Sequence, residues 1–342
     1  MLSEEELKQI REELYNSENP LYFFHDDADG LASFLLLYRR IKKGHGIITK
    51  TTPHITNEKF LNKVSEYNPD KIFIVDIAKV DQEFIDSANK PIIWIDHHEP
   101  QERKKVLYFN PRNKGGNMPA SYLCYKAVNN DLWIAMAGCV ADWFMPDFKD
   151  EFCREYPDLL SDKVENPEDA MFNSELGKLV RIFSFIMKGK TSDAMKCVKI
   201  MTRIENPYEI LHQETPPGKY LYKAFEKVNE KYFKLLKDAE KSVKDEPVLL
   251  FIYSGEKMSL TKELSNEMLY RHKDKLIIIG REKNDEIKMS LRSSTLNIQK
   301  ALPFALKDVD GFGGGHEHAV GANVKKKDFE RFLSQLKKEL NI

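Results

Sequence analysis

Hydrophobic and polar positions follow two different rhythms along the chain. In the first half, short apolar runs alternate with stretches of helical period. Leu21–His25 is an apolar, aromatic run of strand length, and Leu31–Ile41 then repeats its apolar residues on a helical spacing. Ile47–Thr52 is β-branched and predicts a strand, and Asn57–Glu66 predicts a helix. Lys71–Asp76 (KIFIVD) and Pro91–Asp96 (PIIWID) are continuous apolar runs that each end in a carboxylate. Runs of this kind predict strands buried on both faces, as in a parallel sheet covered by helices. The strand–helix–strand order predicts a doubly wound α/β domain.

From about Pro119 the pattern turns helical, with helices predicted over Ala120–Val128 and Leu132–Val140 and around 175–188 and 192–203. Lys219–Glu246 predicts one long amphipathic connecting helix. A second alternation begins at Pro247. Strands are expected at Val248–Tyr253, Lys275–Arg281, Glu286–Arg292 and Ala319–Val324, and helices at Leu260–Arg271, Leu296–Leu306 and from Asp328. The segment GFGGGHEHAVG at 311–321 predicts a glycine-rich turn. The expected domains are thus 1–215, including a helical segment at 145–215, a connecting helix at 216–246, and a smaller α/β domain at 247–342.

Composition narrows the classes. The 342 residues suit about two domains. With 42% hydrophobic and 31% charged residues, a disordered chain is excluded. Lys and Arg total 53 against 54 Asp and Glu, which excludes a uniformly basic coat for duplex DNA but leaves room for a local basic groove. No apolar run reaches the ~18–20 residues of a membrane span. The acidic, amphipathic start MLSEEELKQIREEL resembles neither a signal nor a transit peptide. Cys124, Cys139, Cys153 and Cys197 include no C-x-x-C pair, which predicts a reducing, cytoplasmic setting without structural zinc.

Candidate chemistry collects at predicted strand ends. His25-Asp26-Asp27-Ala28-Asp29-Gly30 places an imidazole and three carboxylates after the first strand. Such crowding repels itself unless a cation neutralises it, although Asp and Gly after a strand are also ordinary turn residues. Asp96-His97-His98 ends PIIWID; one imidazole of such a pair can ligate metal while the other faces substrate. Asp76 ends KIFIVD, and Asp142 ends the apolar stretch WIAMAGCVAD. In open parallel sheets ligands bind at the carboxyl edge, so Asp27, Asp29, Asp76 and Asp96 are expected to converge. Oxygen and imidazole donors without thiolate suit Mn²⁺ or Mg²⁺, and imidazole also admits Co²⁺ or Zn²⁺. The carboxylates suffice for two ions, an arrangement suited to in-line displacement at phosphorus. Further on, Gly313-Gly314-Gly315-His316 offers backbone N–H groups and an imidazole to an anion, and Arg292 offers a guanidinium fork.

Taken together, and in this order over about 21–324, these segments resemble the DHH phosphoesterase superfamily, in the branch with a DHH-associated C-terminal domain. The resemblance implies that His25, Asp27, Asp29, Asp76, His97 and Asp142 hold two divalent cations, Mn²⁺ preferred and Mg²⁺ possible, with Asp76 bridging. It implies that Asp96 orients the site from behind the ligands or occasionally serves as one, and that His98 contacts the scissile phosphate or protonates the leaving group. Arg292 and Gly313, Gly314, Gly315 and His316 would hold the substrate across an interdomain cleft. The compact H-x-D-x-D-G motif is similar to that of RecJ-type single-strand exonucleases. The implied activity is degradation of single-stranded DNA or RNA to mononucleotides, in repair, replication or nucleic-acid turnover. A replication or repair protein such as a helicase or replisome component is a possible partner. Alternatives within the superfamily are a hydrolase of short oligonucleotides or phosphoadenosine phosphate, and a non-catalytic replication scaffold.

Overall fold

The computed structural model describes residues 1–50, 54–255 and 258–342. It divides into two compact units, Met1–Glu226 and Lys227–Ile342.

The first unit contains strands β1 (Leu21–His25), β2 (His45–Thr49), β3 (His54–Ile55), β4 (Ile72–Val75), β5 (Lys79–Val80), β6 (Ile92–Ile95) and β7 (Leu107–Phe109). Five of them form a parallel sheet in the order β2-β1-β4-β6-β7, while β3 and β5 make a separate two-residue pair. The apolar runs of β4 and β6 are buried at every position, as continuous hydrophobicity predicted. The expected strand at 47–52 begins earlier, at His45; its positions 51 and 52 lie outside the described residues. The strand β7 and a first helix at Glu4–Tyr15 extend the predicted set. The chain steps from β1 outward to β2, then returns to the other side of β1 to form β4. That reversal opens a crevice at the carboxyl ends of β1 and β4.

Helices wrap the sheet. Helix Leu132–Ala141 is buried along its length, which its all-round apolar sequence requires. It packs on helices Ala28–Ile41 and Ala120–Val128. At Gly138 the approach is close: a Cβ there would lie 2.6 Å from both the Ala32 Cβ and the Ser121 Oγ. The long helix runs from Pro216 to Lys241. Its two prolines fall in the first turn, where a missing N–H costs nothing, and it ends short of the expected 246. The division between the two units falls inside this helix.

The second unit carries β8 (Val248–Ser254), β9 (Leu276–Lys283), β10 (Glu286–Arg292), β11 (Gly311–His316) and β12 (Ala319–Lys325). They form a mixed sheet, β11-β12-β10-β9-β8, parallel only between β8 and β9. Its core joins Ile278, Met289, Leu291 and Val320 to helix residues Leu302, Phe332 and Leu336. Here the sequence-based expectation is corrected. The glycine-rich segment is not a turn: Gly311–His316 is an edge strand hydrogen-bonded to β12. Glycine's low strand preference is overridden by this pairing, and only Glu317-His318 turns. Gly315 has φ +151, and a Cβ there would lie 2.3 Å from the Ala319 carbonyl oxygen, so the hairpin closes only with glycine.

Gly138→Leu forces a side chain against Ala32 and Ser121 at the contact that seats helix Ala28–Ile41. Urea unfolding should show a loss of about 1–3 kcal/mol or more, as expected for overpacking.

Candidate metal centre

The crevice at β1 and β4 gathers side chains from four segments. His25 ends β1, Asp27 and Asp29 open helix Ala28–Ile41, Asp76 follows β4, and Asp96-His97-His98 follows β6. Asp142 caps the C-terminal end of helix Leu132–Ala141. A carboxylate there faces the negative end of the helix dipole, a position that favours a cation.

Asp76 lies at the centre. Its Oδ2 is 3.4 Å from His25 Nδ1, and its Oδ1 is 3.4 Å from His97 Nε2 and 3.9 Å from His98 Nδ1. It is 2% exposed and holds φ +54, an uncommon backbone state for a non-glycine residue. Its N–H donates to the Ile95 carbonyl at 3.0 Å, which ties the loop to β6. His25 Nδ1 also lies 3.0 Å from Asp27 Oδ2. Yet neither His25 Nδ1 nor Asp76 Oδ2 makes a well-formed hydrogen bond, although both atoms are buried. Buried polar atoms left in this state indicate a missing partner.

Three ligand groups result among the described residues: His25, Asp27 and Asp76; Asp76, His97 and His98; and Asp29, His97 and Asp142. Within each, one donor atom per residue lies within 4.8 Å of the others. Adjacent groups share Asp76 or His97. The donors are carboxylate oxygens and imidazole nitrogens. This set fits a divalent cation such as Mn²⁺ or Mg²⁺. The nearby thiols of Cys124 and Cys139 are buried, which pushes them up, away from thiolate.

Electrostatics agree with the crowding. Burial, then the Asp76 charge, push Asp29 well above the usual carboxylate range. Burial alone would lower His97, but Asp76, Asp142 and Asp29 outweigh it and carry the imidazole up to about 10. His25 is likewise raised against its burial by Asp27 and Asp76, and His98 by Asp96 and Asp76. The surrounding carboxylates thus favour the charged form of all three imidazoles.

Asp29 has a second task that the sequence did not reveal. Its Oδ2 accepts the Ala120 N–H and its Oδ1 the Ser121 N–H, each at 2.9 Å. Pro119, the residue before helix Ala120–Val128, has no side-chain acceptor, so Asp29 caps that helix from across the chain. Gly30, a residue type common in turns after a strand, serves here in another way. It lies inside helix Ala28–Ile41, and its role is proximity: a Cβ would sit 2.5 Å from the His25 carbonyl oxygen.

Behind the histidines, Asp96 is fully buried. Its Oδ2 accepts the His98 N–H at 3.1 Å, and its Oδ1 lies 2.8 Å from His98 Nδ1. Two further residues were passed over in the sequence. Asn110 Nδ2 donates to the His98 carbonyl at 2.9 Å, and Arg112 Nε to the His97 carbonyl at 2.6 Å. The Asn-Pro-Arg run after β7, an N-cap signature, was the available signal.

In the second unit, Arg292 ends β10. Its Nε donates to Asn266 Oδ1 at 2.9 Å, and Nη1 donates to the Leu291 carbonyl at 2.8 Å. Burial pulls it down to about 10. His316 is exposed at the end of β11, and Gln299 Nε2 donates to the Gly315 carbonyl at 2.9 Å.

Comparison with known proteins accords with this geometry. Residues 21–145 match the DHH family N-terminal domain and residues 219–341 the DHHA1 domain. No curated protein matches in sequence. Among solved structures, RecJ in complex with Mn²⁺ from Thermus thermophilus superposes with a TM-score of 0.68 at 13% identity, over 99% of this chain and 55% of that one. The chain thus spans about half the length of that protein. The Thermus protein is also known in complex with Mg²⁺. An exonuclease RecJ bound to manganese superposes at 0.60 and 14% identity, over 99% and 95% of the two chains. A pGpG-specific phosphodiesterase, PggH from Vibrio cholerae, gives 0.50 and 14% identity over 95% and 99%. Among the described residues no helix is long and apolar enough to cross a membrane.

Two outcomes follow for the metal-free protein. Asp29→Ala strands the buried N–H groups of Ala120 and Ser121 and should cost about 1–3 kcal/mol per group in urea unfolding with EDTA. His97 is raised in the fold to about 10 from an ordinary value of 6.5. Its contribution is fully present below that ordinary value and is lost as pH rises through the folded one. Stability in EDTA should therefore fall between these two pH values, as denaturation midpoints across that range would show. With both family models matched in order over most of its length and the RecJ-like architecture around them, the chain belongs to the DHH phosphoesterase superfamily, in the branch that carries a DHHA1 domain.

Proposed function

We propose that the protein is a two-metal phosphodiesterase that degrades single-stranded DNA or RNA from an end to mononucleotides, as a compact RecJ-like exonuclease. The observation that carries this reading is Asp76, buried between His25 on one side and His97 and His98 on the other. His25, Asp27, Asp29, Asp76, His97 and Asp142 would hold the ions, with Asp76 in the shared, central position. Asp29 can do so while capping a helix, because each carboxylate oxygen has two lone pairs. Bound divalent cations would supply Lewis-acid activation of water and charge stabilisation at the phosphate.

The remaining steps belong to the chain's own groups. Asp96 holds His98 through its backbone N–H and Nδ1, which leaves Nε2 for the substrate. Against its burial, Asp96 and Asp76 raise His98, a direction that suits a proton donor to the scissile phosphate or the leaving oxygen. Asp96 is a positioning residue. In the C-terminal unit, Arg292, His316 and the glycines at 313–315 would bind a substrate phosphate. Lys and Arg contacts to phosphates would make binding weaken with salt.

The test is a time course on single-stranded oligonucleotides of DNA and of RNA in Mn²⁺, labelled at either end. Wild type should release mononucleotides. Asp76→Asn should lower turnover by at least about a thousandfold, as expected when an electrostatic core is removed. It should also lose Mn²⁺ binding by calorimetry. His316→Ala should raise KM while leaving Mn²⁺ binding intact. Metal binding without cleavage of any strand would overturn the nuclease reading in favour of a small-phosphoester hydrolase. Absence of both binding and cleavage would favour a scaffold.

A further inference from the structure

The C-terminal sheet carries a feature that phosphate binding leaves unexplained. Phe312, on edge strand β11, is the most exposed large hydrophobic residue described, at 71%. Strand alternation fixes its direction. A Cβ at Gly313 would meet the Leu302 side chain at 3.1 Å, and one at Gly311 the Val324 side chain at 2.7 Å. Leu302 and Val324 belong to the core, so 311 and 313 face inward. Phe312, Gly314 and His316 share the opposite face.

The register extends that face across the sheet. Phe312 pairs with Asn323, Gly314 with Gly321, and His316 with Ala319. Beyond β12, Lys288, Ser290 and Arg292 follow on β10 in the same rows. The middle row begins with two glycines. A Cβ at Gly314 would meet nothing within 4 Å, and one at Gly321 nothing nearer than 3.9 Å. The floor is therefore bare backbone. Phe312 stands at one end and His316 at the other, about 13 Å apart along the strand. The cationic side chains of Lys288 and Arg292 lie on the same face.

We propose that Phe312 stacks on a nucleobase of the single-stranded substrate, with the base over the Gly314–Gly321 backbone and a neighbouring phosphate directed toward His316. The inference rests on the nuclease reading above and adds to it a base contact. A flat aromatic ligand fits the open floor beside one ring, and an anionic backbone suits the cations. A protein or lipid partner would call for a broader apolar patch. Phe304, also exposed, lies on helix Ile298–Ala305, whose Ile298, Ala301 and Leu302 join the core on the inward face. Stacking on an exposed ring tolerates any base, as an exonuclease requires.

Steady-state kinetics in Mn²⁺ on a short single-stranded oligonucleotide test this. Phe312→Ala should raise KM about 5- to 150-fold with kcat within about twofold, the range expected for one lost base stack. Its melting temperature should match wild type, because the ring is exposed. Phe312→Trp should restore KM. A strand of the same length without bases, used as a competitor, should inhibit wild type and Phe312→Ala with the same Ki. An unchanged KM in Phe312→Ala, while wild type degrades the strand, overturns the stacking alone. So does an equal loss of affinity for the baseless competitor. A wild type that degrades no strand overturns the nuclease reading and this inference with it.

Discussion

The structure depends on concentrating negative charge at one edge of a parallel sheet. Asp29, Asp76 and Asp96 are buried there, with Asp27 and Asp142 beside them. Buried carboxylates in contact are costly unless opposite charge joins them. Three imidazoles interleave with the acids and are drawn toward the protonated state. The cost is thereby reduced in the metal-free protein. The same geometry leaves Asp76 and His25 with buried atoms lacking good hydrogen bonds, a state that a bound cation resolves.

Much of the surrounding fold serves that concentration. Gly30 brings a helix against the end of β1. Asp29 spends both oxygens on the N–H groups of a helix some ninety residues away in sequence, so charge and architecture share one side chain. The left-handed backbone at Asp76 turns its carboxylate inward, held by a hydrogen bond from its N–H to β6. Asp96, Asn110 and Arg112 fix the two histidines through their backbone and, for His98, its ring. Rigid support of this kind is what metal chemistry needs, since small displacements of ligands carry large penalties.

The C-terminal sheet solves a different problem. An edge strand with four glycines in six residues is weak by propensity, and at Gly314 and its β12 partner Gly321 the backbone is left uncovered by side chains. Its pairing with β12 and the core beneath Gly313 keep it ordered. Arg292 is largely committed to Asn266 and nearby carbonyls, which set its orientation.

Much of this was written in the sequence. Continuous apolar runs ending in Asp76 and Asp96 marked buried parallel strands, because a strand covered on both faces has no polar side to show. The carboxyl-edge rule then brought distant acids together, and the order of motifs pointed to the superfamily. The roles decided by contact were invisible. Nothing local to HDDADG says that Asp29 caps a helix at Ala120, because that bond depends on how two helices cross. Nothing local to GFGGGH distinguishes a turn from a strand, because glycine is permissive and only the partner strand settles it. Chemistry carried by residue type and strand ends was therefore determined by the sequence alone. The placement of Asp76 among three imidazoles, the cap by Asp29 and the outward face of Phe312 were decided by tertiary structure, since each depends on segments that meet only when the chain is folded.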